Sequence, residues 1–370
     1  MNVVWINRSF LHYRVDVYIA LNKLLGGDFV LITSAHLIAE EIKNELNEAG
    51  VHVIYLDNER VLIEAGAFGK KSLFISYQPG LYKLIKGLNP AALIVEGFAK
   101  WSMVAIFFKL FMKIPVVVSY ERTLHTERNN GFIKRGYHRF YANYIANTFC
   151  INGVETKRYL ESLGVEVSVM HEGAMSARAG LDNCFIRDDC SIVRFLFVGQ
   201  LIERKGVVHL LRAWKKVTSD SDDCELTIVG DGPDVELLQK YVCECNIKNI
   251  TFSGAVPHSE ISNYYLSHHV LVIPTLEDNW SLVVPEAMAY SMPIITTIYN
   301  GCSPELVTKN NGVVVDPLDY EELSSAMLFF VKNRERIRDF GCVSFDISRK
   351  FTPEDVAQCF KDALLGLDVT

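Results

Sequence analysis

Short runs rich in Val, Ile, Leu and Phe recur along the chain, separated by stretches where apolar residues return every three or four positions. In the first half the runs lie at 3–6, 29–33, 52–56, 92–95, 115–120, 148–151 and 167–170. In the second half they lie at 194–198, 225–229, 250–253, 270–274, 294–297 and 313–315. The runs are continuously apolar and do not alternate, as parallel strands covered on both faces are. Between them, Val207, Leu210, Leu211, Trp214 and Val217 mark one helical stripe, and Leu237, Leu238 and Tyr241 another. Strand–helix alternation throughout predicts doubly wound α/β sheets.

The segment 171–191 breaks this rhythm and reads as a connection between two Rossmann-like halves. From Pro353 to Leu365 the pattern predicts a closing helix. Thr352 suits its cap, Pro353 its first turn, and Glu354 and Asp355 the positive end of its dipole. The expected organisation is a first domain over 1–172, a second over 173–352, and a terminal helix over about 353–370.

Composition narrows the class. At 370 residues, 49% of them hydrophobic, the chain holds enough apolar material for two cored domains. A formal charge of -7 argues against a nucleic-acid partner. Charge is uneven, however: cations at 100, 109, 113, 122, 128, 134, 135 and 139 face acids only at 121 and 127 over that stretch. The helical pattern 132–147 mixes four basic side chains with Phe140, Tyr141 and Tyr144, which suits either ordinary packing or an anionic membrane surface. Nine scattered cysteines without a CxxC pair read as reduced thiols. With no basic leader at the start, a cytoplasmic location is expected, with the membrane inner face as a place of work.

The chemistry gathers where strands end. Gly199, Gln200, Arg204, Lys205 and Gly206 follow one apolar run, and two adjacent cations there suit a diphosphate. Asp278, Asn279, Trp280, Ser281, Leu282 and Glu286 follow another, where carboxylates can accept from vicinal hydroxyls and helix-start amides can meet phosphate. Gly230 lies in a turn after a third run, and Val256 after a fourth, where backbone groups would border a base. In the first half, Glu121, Arg122, His125, Glu127 and Arg128 crowd one strand end. Glu121 or His125 would face the reacting carbon or orient an acceptor hydroxyl. Arg8, Tyr13 and Arg14 add polar groups in the first strand–helix loop. Asp220 and Asp222 have the spacing of a metal pair but read as a solvated loop, and no metal is expected. No GxGxxG follows a strand, which disfavours a nicotinamide enzyme.

Six segments together resemble glycosyltransferase family 4: Gly-Gln-Leu-Ile-Glu-Arg-Lys-Gly (199–206), Val-Gly-Asp-Gly-Pro (229–233), Pro-Thr through Asn-Trp-Ser-Leu-Val-Val-Pro-Glu-Ala-Met-Ala (274–289), Met-Pro-Ile-Ile (292–295), Asn-Gly-Cys-Ser-Pro-Glu-Leu-Val (300–307) and Asn-Gly-Val-Val-Val-Asp-Pro (311–317). The resemblance implies a GT-B fold with two Rossmann-like domains facing a cleft. It also implies retaining transfer from a nucleotide-diphosphate sugar to a glycan or lipid-linked acceptor, with no obligatory cofactor. It places Arg204 and Lys205 on the diphosphate, Asp278 near the donor sugar and Glu286 on the ribose. The acceptor side would fall to Arg8, Tyr13, Arg14, Arg122 and Arg128, and the terminal helix would cross back to the first domain. Four positions depart from the family pattern. Gln200 stands for a frequent Arg, so one phosphate contact is either neutral or supplied elsewhere, with Arg8 and Arg14 as candidates. Asp278 stands for a Glu, Ser281 for a Gly, and Glu121 for a common His. A nucleotide-sugar epimerase and a non-catalytic nucleotide-sugar-binding subunit share the donor signals and stay open.

Overall fold

The computed structural model describes residues 2–9, 11–57, 59–65, 73–98, 100–173, 175–176, 181–187, 191–257 and 260–367. It divides into two compact units, Met1–Ser176 with Pro353–Thr370, and Ala177–Thr352.

The first unit is built on a seven-stranded parallel sheet: β1 (Val3–Asn7), β2 (Phe29–Ser34), β3 (His52–Leu56), β6 (Ala92–Glu96), β7 (Val116–Tyr120), β8 (Thr148–Ile151) and β9 (Met170–Glu172). Its order is β3-β2-β1-β6-β7-β8-β9. Strands β1 and β6 are in register from Val3 opposite Ala92 to Ile6 opposite Val95. The chain winds one way from β1 and the other way from β6, so a crevice opens at their carboxyl ends. The expected strand at 167–170 begins only at Met170, because Val167–Val169 forms a single tight helical turn.

An antiparallel ribbon, β4 (Arg60–Ala65) with β5 (Leu73–Tyr77), lies apart from the sheet. The strand–helix rhythm does not foretell it, because antiparallel pairing of neighbouring strands departs from the parallel strand–helix–strand plan. The terminal helix Pro353–Leu365 matches the expected span and packs inside this unit. Val356, Phe360, Ala363 and Leu364 are buried, and the Phe360 ring lies 4.4 Å from that of Trp5.

The second unit repeats the plan with β10 (Val193–Val198), β11 (Cys224–Val229), β12 (Ile250–Gly254), β13 (Val270–Val272), β14 (Ile294–Thr297) and β15 (Gly312–Val315), in the order β12-β11-β10-β13-β14-β15. All neighbours are parallel. The winding reverses between β10 and β13. The helix Val207–Asp220 buries Val207, Leu210, Leu211, Trp214 and Val217, the stripe read from the sequence.

The 171–191 segment is more than a connection. Arg187 is buried, and its guanidinium donates to the carbonyls of Tyr265 (2.7 Å), His268 (2.8 Å) and Ser291 (2.5 Å). Burial pulls this guanidinium down to about 10. Three charge-assisted bonds to carbonyl oxygens strap the segment onto the second unit.

Candidate functional site

At the switch point of the second unit, three strand-end loops meet through bare backbone. A Cβ on Gly206 would lie 2.0 Å from the Pro274 carbonyl oxygen, and the backbone there has a φ of 69°. A Cβ on Gly230 would lie 1.9 Å from the Gly199 carbonyl oxygen. The loops after β10, β11 and β13 therefore touch where no side chain fits, which explains the glycines read from the sequence.

This packing sets the polar groups. Residues Glu203–Lys205 form one tight turn ending at Gly206. The Arg204 carbonyl accepts from the backbone N–H of Leu276 (2.8 Å) and from the Thr275 hydroxyl (3.1 Å), which sews the turn to the loop after β13. Lys205 Nζ then lies 2.5 Å from Asp278 Oδ2, with both side chains mostly shielded. The Arg204 guanidinium, by contrast, is exposed and donates to the Glu277 carbonyl at 3.2 Å. Gln200 is exposed on the same loop.

Asp278 is fixed by its backbone: its N–H donates to Tyr299 O (3.2 Å), and its carbonyl accepts from Gly301 N–H (3.0 Å). Asn300 is buried beside it and accepts from the Ser281 N–H at 3.3 Å, while its own amide donates to the Thr296 hydroxyl at 2.9 Å. Glu286 sits on the helix Val283–Ala289 and accepts from the Tyr265 hydroxyl at 2.8 Å. That helix has only two turns, so little dipole is available for phosphate. Asn279, Leu282 and Val256 are partly exposed around these loops.

The Trp280 side chain is buried, with the ring 6.2 Å from that of Phe351, so the side chain packs in the core. Ser281 is buried too. Tyr265, Arg187 and Asn300 are the residues that sequence reasoning did not single out. Only Asn300 carried a signal, as the first residue of the 300–307 segment.

The first unit gathers its charges at its own switch point. Arg14, 1% exposed, donates to Glu96 Oε1 at 3.0 Å and forms a short ion pair with Glu121 Oε1. Glu96 also accepts from the Trp5 indole at 3.0 Å, and Glu121 from the Tyr13 hydroxyl at 2.8 Å. Arg14 is thus not the free phosphate contact expected of it. Arg8 is engaged as well, through a two-pronged pair with Glu59 at 2.5 Å on each arm. Neither replaces the arginine missing at Gln200 without breaking an ion pair.

The charged loop after β7 is also partly structural. Glu127 is buried and meets Arg122 (3.0 Å), Lys134 (3.2 Å) and the Asn130 amide. Burial raises its carboxyl, but these three partners outweigh burial and leave it below the usual range. Arg128 donates to the His125 carbonyl at 2.5 Å. The density of charge that suggested function therefore largely serves to fold the loop, and Glu121 is the carboxylate that points to the switch point.

Burial raises the Glu96 carboxyl to about 7; Arg14 pulls it down and Glu121 pushes it up. The folded chain then holds a proton that the unfolded chain releases between about pH 4.5 and 7. This contribution to stability is full below that window and lost as pH rises through it. We expect Glu96→Gln to flatten the fall in unfolding free energy, measured by urea, between about pH 5 and 8, by roughly 1–3 kcal/mol. Identical pH slopes for the two proteins would count against this assignment.

Two doubly wound parallel-sheet units, each with polar side chains gathered at its switch point, form the GT-B class of fold. Residues 193–342, most of the second unit, match the family model described as Glycosyl transferases group 1. An uncharacterised glycosyltransferase of Methanocaldococcus jannaschii is 22% identical over 86% of this chain and 90% of its own. The amylovoran biosynthesis glycosyltransferase AmsD of Erwinia amylovora is 25% identical over 60% of this chain and 59% of its own. The crystal structure of Anabaena HepE in complex with UDP aligns over 99% of this chain and 100% of its own, with a TM-score of 0.77 at 13% identity. HepE has also been crystallised with UDP-glucose.

Proposed function

We propose that the chain is a retaining glycosyltransferase. It would move a sugar from a nucleotide-diphosphate sugar to a glycan or lipid-linked acceptor at an anionic membrane surface, in surface polysaccharide or glycoconjugate assembly. The observation that carries this reading is the shielded Lys205–Asp278 pair at the β10/β13 switch point. An ammonium and a carboxylate held together there offer one group to a phosphate and one to sugar hydroxyls. Glu286, oriented by Tyr265, offers a second carboxylate for a ribose.

The chemistry follows from charge. When the bond from sugar to diphosphate breaks, negative charge grows on the leaving phosphate. Lys205, joined by the exposed Arg204, stabilises that charge more in the transition state than in the ground state. In a front-face transfer the departing phosphate takes the acceptor's proton, so no strong base is required. Glu121, fixed by Arg14 and Tyr13, would then orient the acceptor or stabilise the cation-like sugar. No cofactor is needed for these steps.

A thermal-shift screen with UDP-, GDP-, ADP- and CMP-linked sugars tests the donor. One base should raise the melting temperature, since a ligand at 100 times its Kd stabilises by about 2.7 kcal/mol. No shift with any of the four would sink the reading. With the stabilising donor in hand, the anomeric configuration of the product decides retention. A changed sugar released without any acceptor would instead mark an epimerase.

A further inference from the structure

We propose that one face of the first unit, formed by the helices Val104–Met112 and Phe132–Phe140, docks on an anionic lipid surface, with Phe132 and Ile133 entering the headgroup–acyl boundary. This specifies the membrane contact included in the proposed function, and it stands on the exposed side chains alone.

A surface helix normally turns its polar face outward. These two bury an apolar face as expected but also expose large apolar side chains among their outward cations. The second helix continues into a wider turn at Tyr141–Ile145 and buries His138, Tyr141, Ala142 and Ile145. Its outer stripe, at four-residue spacing, is Phe132, Gly136, Phe140 and Tyr144, with Ile133 beside it. Phe132 is 92% exposed, Ile133 87% and Tyr144 66%. The Phe140 and Tyr144 rings lie 5.6 Å apart, and both are exposed. The first helix buries Ala105 and Phe108 and leaves Phe107, Leu110 and Phe111 exposed, Phe111 at 73%.

Both helices belong to one side of the molecule. Ala105, Phe108, Tyr141, Ala142 and Ile145 share a single core cluster with Val116, Val118 and Ile151 of the sheet. Lys109 Nζ reaches Asn147 Oδ1 at 2.9 Å, and the Tyr141 hydroxyl donates to the Ser102 carbonyl at 2.7 Å. With their inner faces on the same side of the sheet, their outer stripes turn to the same solvent.

Charge selects the occupant. Over residues 100–145 eight cations face two acids, a balance of +6, within a chain of net -7. One of those acids, Glu127, is buried in ion pairs. Lys113, Arg135 and Arg139 are exposed beside the apolar stripes. Cations bordering exposed aromatic side chains match an anionic headgroup layer above acyl chains. Nine residues per helix are too few to span a bilayer, so the contact lies in the interface plane.

The test uses the full chain and contains no nucleotide sugar, so its failure is separate from failure of the transferase reading. The protein is sedimented with vesicles of phosphatidylcholine alone, or with about one third phosphatidylglycerol. Binding is expected to the anionic vesicles only and to weaken as salt rises. The pair Arg135→Glu with Arg139→Glu should lower the partition coefficient roughly 10-fold or more. The pair Phe132→Asp with Ile133→Asp should abolish binding. Both pairs are exposed, so the melting temperature should hold, and a donor-induced thermal shift should persist. Three results would overturn the proposal: no sedimentation with anionic vesicles at low salt, binding unchanged in the aspartate pair, or dimerisation of the wild-type chain that the aspartate pair abolishes, which would assign the face to a second copy.

Discussion

Replacing Lys205 by alanine should lower the rate of sugar transfer by roughly 100-fold or more in a chain that still folds. Lys205 is placed by the turn Glu203–Lys205 and by the contact of Gly206 with the Pro274 carbonyl, neither of which needs the ammonium. The ammonium is shielded and aimed at Asp278, so its field is weakly screened by water. A 100-fold loss corresponds to about 2.7 kcal/mol of transition-state stabilisation, ordinary for one preorganised charge on a developing anion. Arg204→Ala should cost less, because that guanidinium is exposed and already bonded to the Glu277 carbonyl. Lys205→Ala also leaves the Asp278 carboxylate without its cation, so Asp278→Asn makes a useful companion. If the lysine acted only by neutralising Asp278, the double variant would regain the lost rate. If it holds the leaving diphosphate, the double variant stays slow. Steady-state kcat/KM with the donor found by thermal shift distinguishes the two, and a folded Lys205→Ala chain with an unchanged rate removes the lysine from the reaction.

The fold was legible wherever apolar periodicity carried it. The second-half runs at 194–198, 225–229 and 294–297 fall within one residue of β10, β11 and β14, because buried parallel strands need unbroken Val, Ile and Leu. The β4–β5 ribbon was not legible, since the strand–helix rhythm was the signal being followed. At the donor side, Lys205 and Asp278 could be named because strand-end position and charge sign are written in the sequence. Their pairing could not, because 73 residues separate them and the loops are brought together by the glycine contact and by hydrogen bonds to the Arg204 carbonyl. Trp280 and Arg14 show the opposite limit. A tryptophan beside helix-start acids reads equally as core or as part of a nucleotide-sugar site, and an arginine near a strand end reads as a phosphate ligand. Burial decides both, and burial depends on Phe351 and Phe360, distant in sequence, as well as on Trp5. Glu127 shows a local limit: its cations at 122 and 134 flank it in sequence, but only the folded loop shows that they close on it.

Arg14→Met should destabilise the first unit by about 3–5 kcal/mol, the range found when one partner of a buried ion pair is removed. The guanidinium is enclosed by the rings of Trp5 (5.4 Å to the ring centre) and Phe360 (5.7 Å) and bridges two carboxylates on different strands' loops. Methionine fills much of the same volume, so the loss is mainly electrostatic: Glu96 and Glu121 would face each other without a cation. Lysine is a poor substitute, because a point charge does not fork between two acceptors. The deficit should depend on pH with a known sign. Without Arg14 the Glu96 carboxyl is pushed further up, so its protonation relieves the repulsion and the deficit shrinks as pH falls toward about 7. Adding Glu96→Gln to Arg14→Met should recover part of the loss, a non-additivity expected of residues in one network. Urea unfolding of the two single variants and the double variant, at about pH 5 and pH 8, measures all three effects. Additive losses at both pH values would mean that the Arg14 bridge contributes packing alone. In that case Glu121 is set in place by Tyr13 and the backbone of β7, and the charge of Arg14 plays no part in orienting it.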